Sequence, residues 1–489
     1  MNTKLNTAAA VAAIAVIVLF TLTTCGSSAP AGQTARSSGG TASAVQETAT
    51  AQQAAEQETS EQVMLQTTPM TAGAFIDRGI LFAMRNDYEL AIADFTEALR
   101  LDPQLLEAYL LRGRALLASA TNVLEIQAHF SDVNIVMSYG NITDEQRLPL
   151  EQAQTDFDEA IRLDPNNAIA YYERGKTYAE RGDNASALLD VNQAIQISPN
   201  HVGALNFRGL VHYNMENLDE AITDYTSAIR LDPDYAYAYN NRGLVQRQRG
   251  NLDQAIADYN EAIRLDPNYA GAYNNRGLVQ RQRGDLDQAI ADYNQAIRLN
   301  PNYAIAYNNR GFAHSDRGNL DQAIADYNQA IRINPNYAIA YGNRGAAHFN
   351  RGNLDQAIAD FTSAIRLDPN LAEAYNNRGL VHRQRGNLDQ AIADYTNAIR
   401  INPDYANAYV GRGLAHFNRG NLDQAIADYN EAIRLNPNYA NAYLNRGVAY
   451  ASNGNLDSAI ADYEAVLRID PNDTVARQNL ERARRARGR

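Results

Sequence analysis

NYAGAYNNRGLVQRQRGDLDQAIADYNQAIRLNP, residues 268–301, holds the pattern of two helices within 34 residues. Tyr273, Gly277 and Leu278, and then Leu286, Ala289, Ile290, Tyr293, Ala296 and Ile297, fall at three- and four-residue spacings, which are the apolar stripes of two amphipathic helices. Arg283-Gly284-Asp285 between them reads as a turn, in which Gly284 can take a conformation that other residues resist. Asp285, followed three places on by Gln288, predicts a capping-box start for the second helix. Asn300-Pro301-Asn302 predicts its end, because proline cannot continue a helix.

The same stretch recurs along the chain. Pro165, Pro199, Pro233, Pro267, Pro301, Pro335, Pro369, Pro403, Pro437 and Pro471 stand 34 residues apart, and a fixed period of that length marks a stacked repeat protein. In such a stack the length of 489 residues sets the number of units and not the number of separate cores. Pro103 precedes Pro165 by 62 residues, so one unit carries an insertion, at about 121–148. That segment contains Phe130, Ile135, Val136, Met137 and Tyr139, and Thr143-Asp144-Glu145-Gln146 after them reads as a helix start. A cover over the N-terminal units is the favoured reading, and a lid on a partner site is the other.

A net charge of -13 argues against general nucleic-acid binding, which needs an excess of Lys and Arg on the binding face. Only the last residues are locally basic, from Arg477 through Arg482, Arg484, Arg485, Arg487 and Arg489, and they read as a polar end cap. Cys25 is the one cysteine, so no internal disulfide forms. Before it, Lys4 and the apolar run from Ala8 to Phe20 have the shape of a secretory signal segment, residues 1–25. Leu22-Thr23-Thr24-Cys25-Gly26 resembles the lipobox of bacterial lipoproteins, with Cys25 the lipidated residue, although Thr24 departs from the usual small neighbour. An uncleaved N-terminal transmembrane anchor over Leu5 to Leu22 is the alternative. Either reading places the protein outside the cytoplasm, anchored to a membrane. Residues 26–70 are too polar and too poor in large apolar groups to fold, and read as a disordered tether.

The unit resembles the tetratricopeptide repeat. That family carries an aromatic residue at position 4, Gly at 8, Ala at 20, an aromatic at 24, Ala at 27 and Pro at 32. Here position 8 is Gly in eleven units, from Gly79 and Gly113 through Gly447, and position 20 is Ala in each, from Ala91 to Ala459. Position 4 departs at Leu205 and position 24 at Val191. The resemblance implies an all-α fold: a right-handed α-solenoid superhelix of about eleven helix-turn-helix units over 71–473, closed by a capping helix, 474–489, with Val475 and Leu480 inward. Tyr273, Tyr307 and Tyr341 would be core packers.

The resemblance also implies a concave groove lined by the first helix of each unit. Position 6 there is Asn241, Asn275, Asn309, Asn343, Asn377 and Asn445, and position 5 adds Asn240, Asn274, Asn308 and Asn376. An amide offers donor and acceptor together, so it can bond a peptide main chain of any sequence. Position 12 contributes Arg247, Arg281 and Arg383, beside Gln248, Gln282 and Gln384 at position 13. His212, His314, His348, His382 and His416 recur at position 11, but units stacked roughly 8 to 10 Å apart cannot share one metal through them. Asp253, Asp258, Asp287 and Asp292 repeat with the fold and read as partners of the recurring arginines. No phosphate loop, zinc-protease helix or nucleophile elbow occurs. The expectation is a non-catalytic scaffold without cofactor or metal, holding extended segments of other proteins in its groove. A structural spacer that binds only at its ends or insertion is the alternative.

Overall fold

The computed structural model describes residues 71–125 and 143–488. Each 34-residue unit folds as a helical hairpin. Where the sequence has Arg249-Gly250-Asn251, Gly250 takes φ +80°. Its N–H donates to Arg247 O (3.0 Å) while Asn251 N–H donates to Gln246 O (2.9 Å), the pair of bonds that closes a helix and turns the chain back. Asn86 and Glu216 take the same left-handed conformation without being glycine. The helix end before each proline is fixed locally too: Asn300 is extended, and its Oδ1 accepts from Asn302 N–H at 3.0 Å. Asp285, expected to bond the helix start with its side chain, makes no such bond.

The described residues form twenty-three helices and contain no strand. They begin with α1 (Ala72–Met84), α2 (Tyr88–Leu101), α3 (Leu106–Glu125), α4 (Asp144–Leu163), α5 (Ala168–Glu180), α6 (Asn184–Ile197), α7 (Val202–Asn214) and α8 (Leu218–Leu231). There follow α9 (Ala236–Gln248), α10 (Leu252–Leu265), α11 (Ala270–Arg283), α12 (Leu286–Leu299), α13 (Ala304–Asp316), α14 (Leu320–Ile333), α15 (Ala338–Asn350) and α16 (Leu354–Leu367). The last are α17 (Ala372–Gln384), α18 (Leu388–Ile401), α19 (Ala406–Asn418), α20 (Leu422–Leu435), α21 (Ala440–Ser452), α22 (Leu456–Ile469) and α23 (Thr474–Arg487). This is the all-α stack of hairpins expected from the period. It divides into two compact units between Val279 and Gln280.

Inside a hairpin the spacing is set by glycine against an aromatic ring. A Cβ on Gly209 would stand 2.7 Å from Tyr225, and one on Gly413 would stand 2.7 Å from Tyr429, so nothing larger fits. Where position 24 is Val191, the opposing Gly175 meets nothing closer than 3.3 Å. The position-24 rings Tyr225, Tyr259, Tyr293, Tyr327, Tyr395 and Tyr429 are fully buried, as are Phe95, Phe157 and Phe361 at the same position. Tyr273, Tyr307 and Tyr341, expected in the core, are only half-buried. Each packs beneath an arginine, as in the 5.4 Å approach of Arg344 to the Tyr341 ring, because position 4 faces the seam between repeats.

That arginine, at position 7, holds the stack together. In the second unit Arg344 Nε and Nη2 donate to both oxygens of buried Asp360 (2.8 and 2.6 Å), and Nη1 donates to Asn328 Oδ1 of the preceding repeat (2.6 Å). In the first unit Arg242 clamps Asp258 and reaches Thr226 in the same way. One guanidinium thus ties three helices, a bidentate geometry that lysine could not supply. A second ion pair joins successive repeats on the surface, position 14 to the preceding position 18: Arg351–Asp321, Arg385–Asp355 and Arg419–Asp389. The carboxylates therefore pair with the recurring arginines, as the sequence indicates.

At the C-terminal end α23 repeats the surface pairing, with Arg487 on Asp457 (3.0 Å) and Arg484 on Glu464 (2.8 Å). Leu480, Ala476 and Ala483 face inward, whereas Val475, expected inward, is exposed, since the helix turns Ala476 onto the stack instead. In the interrupted unit, α4 begins at Asp144 with a Thr143–Gln146 capping box, and Gln146 Nε2 donates to Ala120 O on α3 (3.3 Å). The apolar residues 130–139 of the insertion, the tether and Cys25 lie outside the described residues. Among the described residues no helix is long and apolar enough to cross a membrane.

Candidate functional site

The candidate asparagines sit in the second turn of successive first helices, and they bond one another. In the first unit the amides form a polarised chain. Asn274 Nδ2 donates to Asn275 Oδ1 (3.4 Å), Asn275 Nδ2 to Asn240 Oδ1 (3.0 Å), Asn240 Nδ2 to Asn241 Oδ1 (3.2 Å) and Asn241 Nδ2 to Asn206 Oδ1 (3.1 Å). The rule is simple: position 5 donates within its own repeat, and position 6 donates to position 5 of the repeat before. All four of the candidates are buried, Asn240 completely and Asn275 to within 1%. Buried amides need partners, and here each supplies the next.

In the second unit the same chain is opener. Asn343 Nδ2 donates to Asn308 Oδ1 (2.9 Å), Asn308 Nδ2 to Asn309 Oδ1 (3.5 Å) and Asn376 Nδ2 to Asn377 Oδ1 (3.1 Å). Asn309, Asn343, Asn376, Asn377 and Asn445 are half-buried and keep a face toward solvent. Gly342 takes position 5 in α15, and Val410-Gly411 takes positions 5 and 6 in α19, so the run of paired asparagines is interrupted.

The position-12 arginines are divided between groove and interior. Arg281 lies over the Phe312 ring, 4.0 Å from its centre, and bonds Asp316 at 3.0 Å. Arg383 faces the Tyr395 hydroxyl, and its buried Nε finds no acceptor. Arg247 approaches the hydroxyls of Tyr213 and Tyr259, and burial chiefly raises the pKa of both phenols. The position-13 glutamines Gln248, Gln282 and Gln384 are exposed, as are Asp316, Asn350 and Asn418 at the same position.

The histidines at position 11 stand each beside their own position-23 aspartate. His314 and His382 have Nε2 3.9 Å from Asp326 and Asp394, and their Nδ1 atoms are buried without a partner. Burial pushes both imidazoles below their ordinary value, against the pull of the aspartate.

A charged cluster in the first unit escapes the sequence reading. Glu173 occupies position 6 of α5, where later repeats carry Asn, and is buried between Arg114 (2.9 Å) and Lys176 (2.7 Å). Burial alone would raise its pKa, but the two cations outweigh it and hold the carboxyl below its usual value. Lys176 rests over the Tyr172 ring at 4.9 Å, and Tyr172 in turn packs on His201 and Phe207. The signal that could have found the cluster is an acidic residue at position 6, which is Asn in six of the repeats, with Lys176 three places on.

Repeated hairpins joined through a polar seam define a helical-repeat scaffold. Tetratricopeptide repeat models match residues 42–130, 208–270 and 343–474, and further repeat models match within 150–201, 258–291 and 279–352. The chain belongs to the tetratricopeptide repeat family, whose fold generally serves as a non-catalytic scaffold for protein interaction. No curated protein matches the sequence. Among solved structures, the chain is similar to the anaphase-promoting complex hetero-tetramer Cut9–Hcn1, at 16% identity and a TM-score of 0.45 over 82% of this chain and 94% of that one. It is similar to a tetratricopeptide repeat protein of Parabacteroides merdae at 22% identity, with a TM-score of 0.41 over 51% and 98% of the two chains. YrrB, described as a TPR protein with an unusual peptide-binding site, is 25% identical, with a TM-score of 0.33 over 38% and 96%.

Proposed function

We propose that the first helices form a groove holding extended segments of partner proteins, and that the chain is tethered to a membrane by its N-terminus. The observation that carries the groove is the column of half-buried amides in the second unit, Asn309, Asn343 and Asn377 on three successive first helices and Asn445 beyond the gap at Gly411, all at one position of the repeat. Beside it run Arg281 and the exposed Gln282 and Gln384, which supply donors for main-chain carbonyls. An extended peptide advances about 3.3 Å per residue, so one amide per repeat would meet roughly every third residue. Asn241, Asn275, Asn240 and Asn274, buried and bonded to one another, hold the seam of the first unit rather than touch the segment. Arg383, turned toward Tyr395, flanks the segment in the second unit and sets specificity, and Arg247 holds the same repeat position in the first unit.

The tether reading rests on Cys25 within Leu22-Thr23-Thr24-Cys25-Gly26, behind a signal-like run in residues 1–25 and ahead of the polar stretch 26–70. It assigns the repeats to the outside of the cytoplasm. Palmitate labelling of the wild type against Cys25→Ala tests it, and equal labelling refutes lipidation there. For the groove, the double variant Asn377→Ala/Asn445→Ala is expected to lose binding of peptides selected on the wild type, with an unchanged thermal midpoint. Unchanged binding would overturn the groove. Deleting two middle repeats separates the spacer reading: a spacer keeps binding and loses reach.

A further inference from the structure

The amide chain of the second unit is missing one rung, and its place is open. In the first unit every interior rung follows one pattern. Asn240 at position 5 accepts from Asn275 Nδ2 of the following repeat and donates to Asn241 Oδ1 of its own. In α15 position 5 is Gly342, so the corresponding rung between Asn377 and Asn343 has no side chain to make it. Asn377 accepts from Asn376 (3.1 Å) and Asn343 donates to Asn308 (2.9 Å), and among the described residues no side chain bonds Asn377 Nδ2 or Asn343 Oδ1. On the two sides of Gly342 the chain therefore ends in one amide donor and one amide acceptor without a side-chain partner.

The space at that point is free. A Cβ built on Gly342 meets no atom within 4 Å, whereas the other gap, at Gly411, is filled by the Tyr395 ring. Gly342 lies inside α15 with an ordinary helical backbone, so no turn or close approach demands glycine there. A helix-interior glycine costs about 1 kcal/mol against alanine, and the packing of this repeat does not require it.

We propose that Gly342 marks a recognition subsite for a single amide group of the bound segment, whose C=O accepts from Asn377 Nδ2 and whose N–H donates to Asn343 Oδ1. The amide is the group that the neighbouring repeats place in this rung, and it alone offers acceptor and donor in one small plane. A carboxylate lacks the donor and an ammonium lacks the acceptor, so the subsite discriminates by leaving one end unpaired. The amide can come from an Asn or Gln side chain or from the main chain. This inference rests on the groove reading and names where in the groove its polar specificity lies.

The test uses the full chain and a displayed library of random dodecapeptides, panned on the wild type and read out by fluorescence anisotropy of the enriched sequences. Gly342→Asn supplies the rung from within. Its affinity for the enriched peptides is expected to fall tenfold or more, and its melting temperature to match or exceed that of Gly342→Ala, although Ala is the better helix former. Gly342→Ala, which adds a methyl group but no amide, is expected to retain most of the binding. In the peptides, Gln→Glu or Asn→Asp exchange abolishing binding assigns the side-chain source, and main-chain N-methylation abolishing it assigns the backbone. Binding to Gly342→Asn equal to the wild type, with neither peptide change mattering, overturns the subsite and leaves the groove standing. No enrichment on the wild type overturns the groove itself. A Gly342→Asn variant that melts well below Gly342→Ala overturns the rung geometry independently of any ligand.

Discussion

Residues 206–275 and residues 308–377 are built from the same 34-residue unit, yet one stretch closes its amide chain and the other leaves it open. In the first, positions 5 and 6 are Asn in consecutive repeats, so each amide completes the next and the seam is buried. In the second, one glycine at position 5 interrupts the chain, and the amides on either side are only half-buried. Identical residues thus close a buried seam in one place and keep a face toward solvent in the other. What decides between them is the neighbour one repeat away.

The largest expected effect tests what the two stretches share. Arg242→Ala and Arg344→Ala each strand a buried aspartate, and each is expected to cost about 3 to 5 kcal/mol in urea unfolding. Costs that differ widely between the two would mean that the stretches are not one scaffold. Next comes the contrast itself. Asn240→Ala leaves Asn241 Oδ1 and Asn275 Nδ2 without that partner in a buried seam, for an expected loss of about 2 to 4 kcal/mol. Asn376→Ala removes one bond at a half-buried site and is expected to cost at most about 1 kcal/mol. Equal losses would erase the distinction.

The smallest effect is acid sensitivity. Burial lowers the pKa of His314, His348, His382 and His416 below 6.5, with Asp326, Asp360, Asp394 and Asp428 pulling the other way. Arg310 and Arg317 face His314, and the other three have equivalent pairs. The folded chain therefore binds fewer protons than the unfolded chain just below pH 6.5, and stability present above that value falls as the pH drops. Hydrogen exchange at pH 7.5 and 5.5 should show protection declining more over 304–435 than over 236–265, which contains no histidine. His348→Gln, placing there the residue that Gln246 supplies in the other stretch, should reduce the difference. A uniform decline across both stretches would refute it.

Much of this architecture is legible in the chain because its causes are local. Gly250 and Asn251 close their helix through N–H bonds to residues three and five places back, and Asn300 closes the end of its own helix through a bond two places on. Such contacts repeat wherever the residues repeat. Tyr273 was harder to read, since its burial depends on the arginine and helix of the seam rather than on its own amphipathic stripe. Val475 was misassigned for a related reason: in α23 alanines, not the larger valine, fit against the last repeat.

The asparagine column marks the limit more sharply. Their alignment on successive first helices follows from the period alone. Whether an amide bonds another amide or keeps a face toward solvent depends on contacts 35 residues apart, as between Asn275 and Asn240 or Asn343 and Asn308. The sequence by itself determined the repeat, its hairpin and its helix ends, because those are set by spacings within one unit. The tertiary structure decided which amides are consumed, which remain open and that Gly342 leaves a place between them. Hydrogen bonds across a seam are satisfied in space, and a one-dimensional pattern records who stands in the column but not whose hand each one holds.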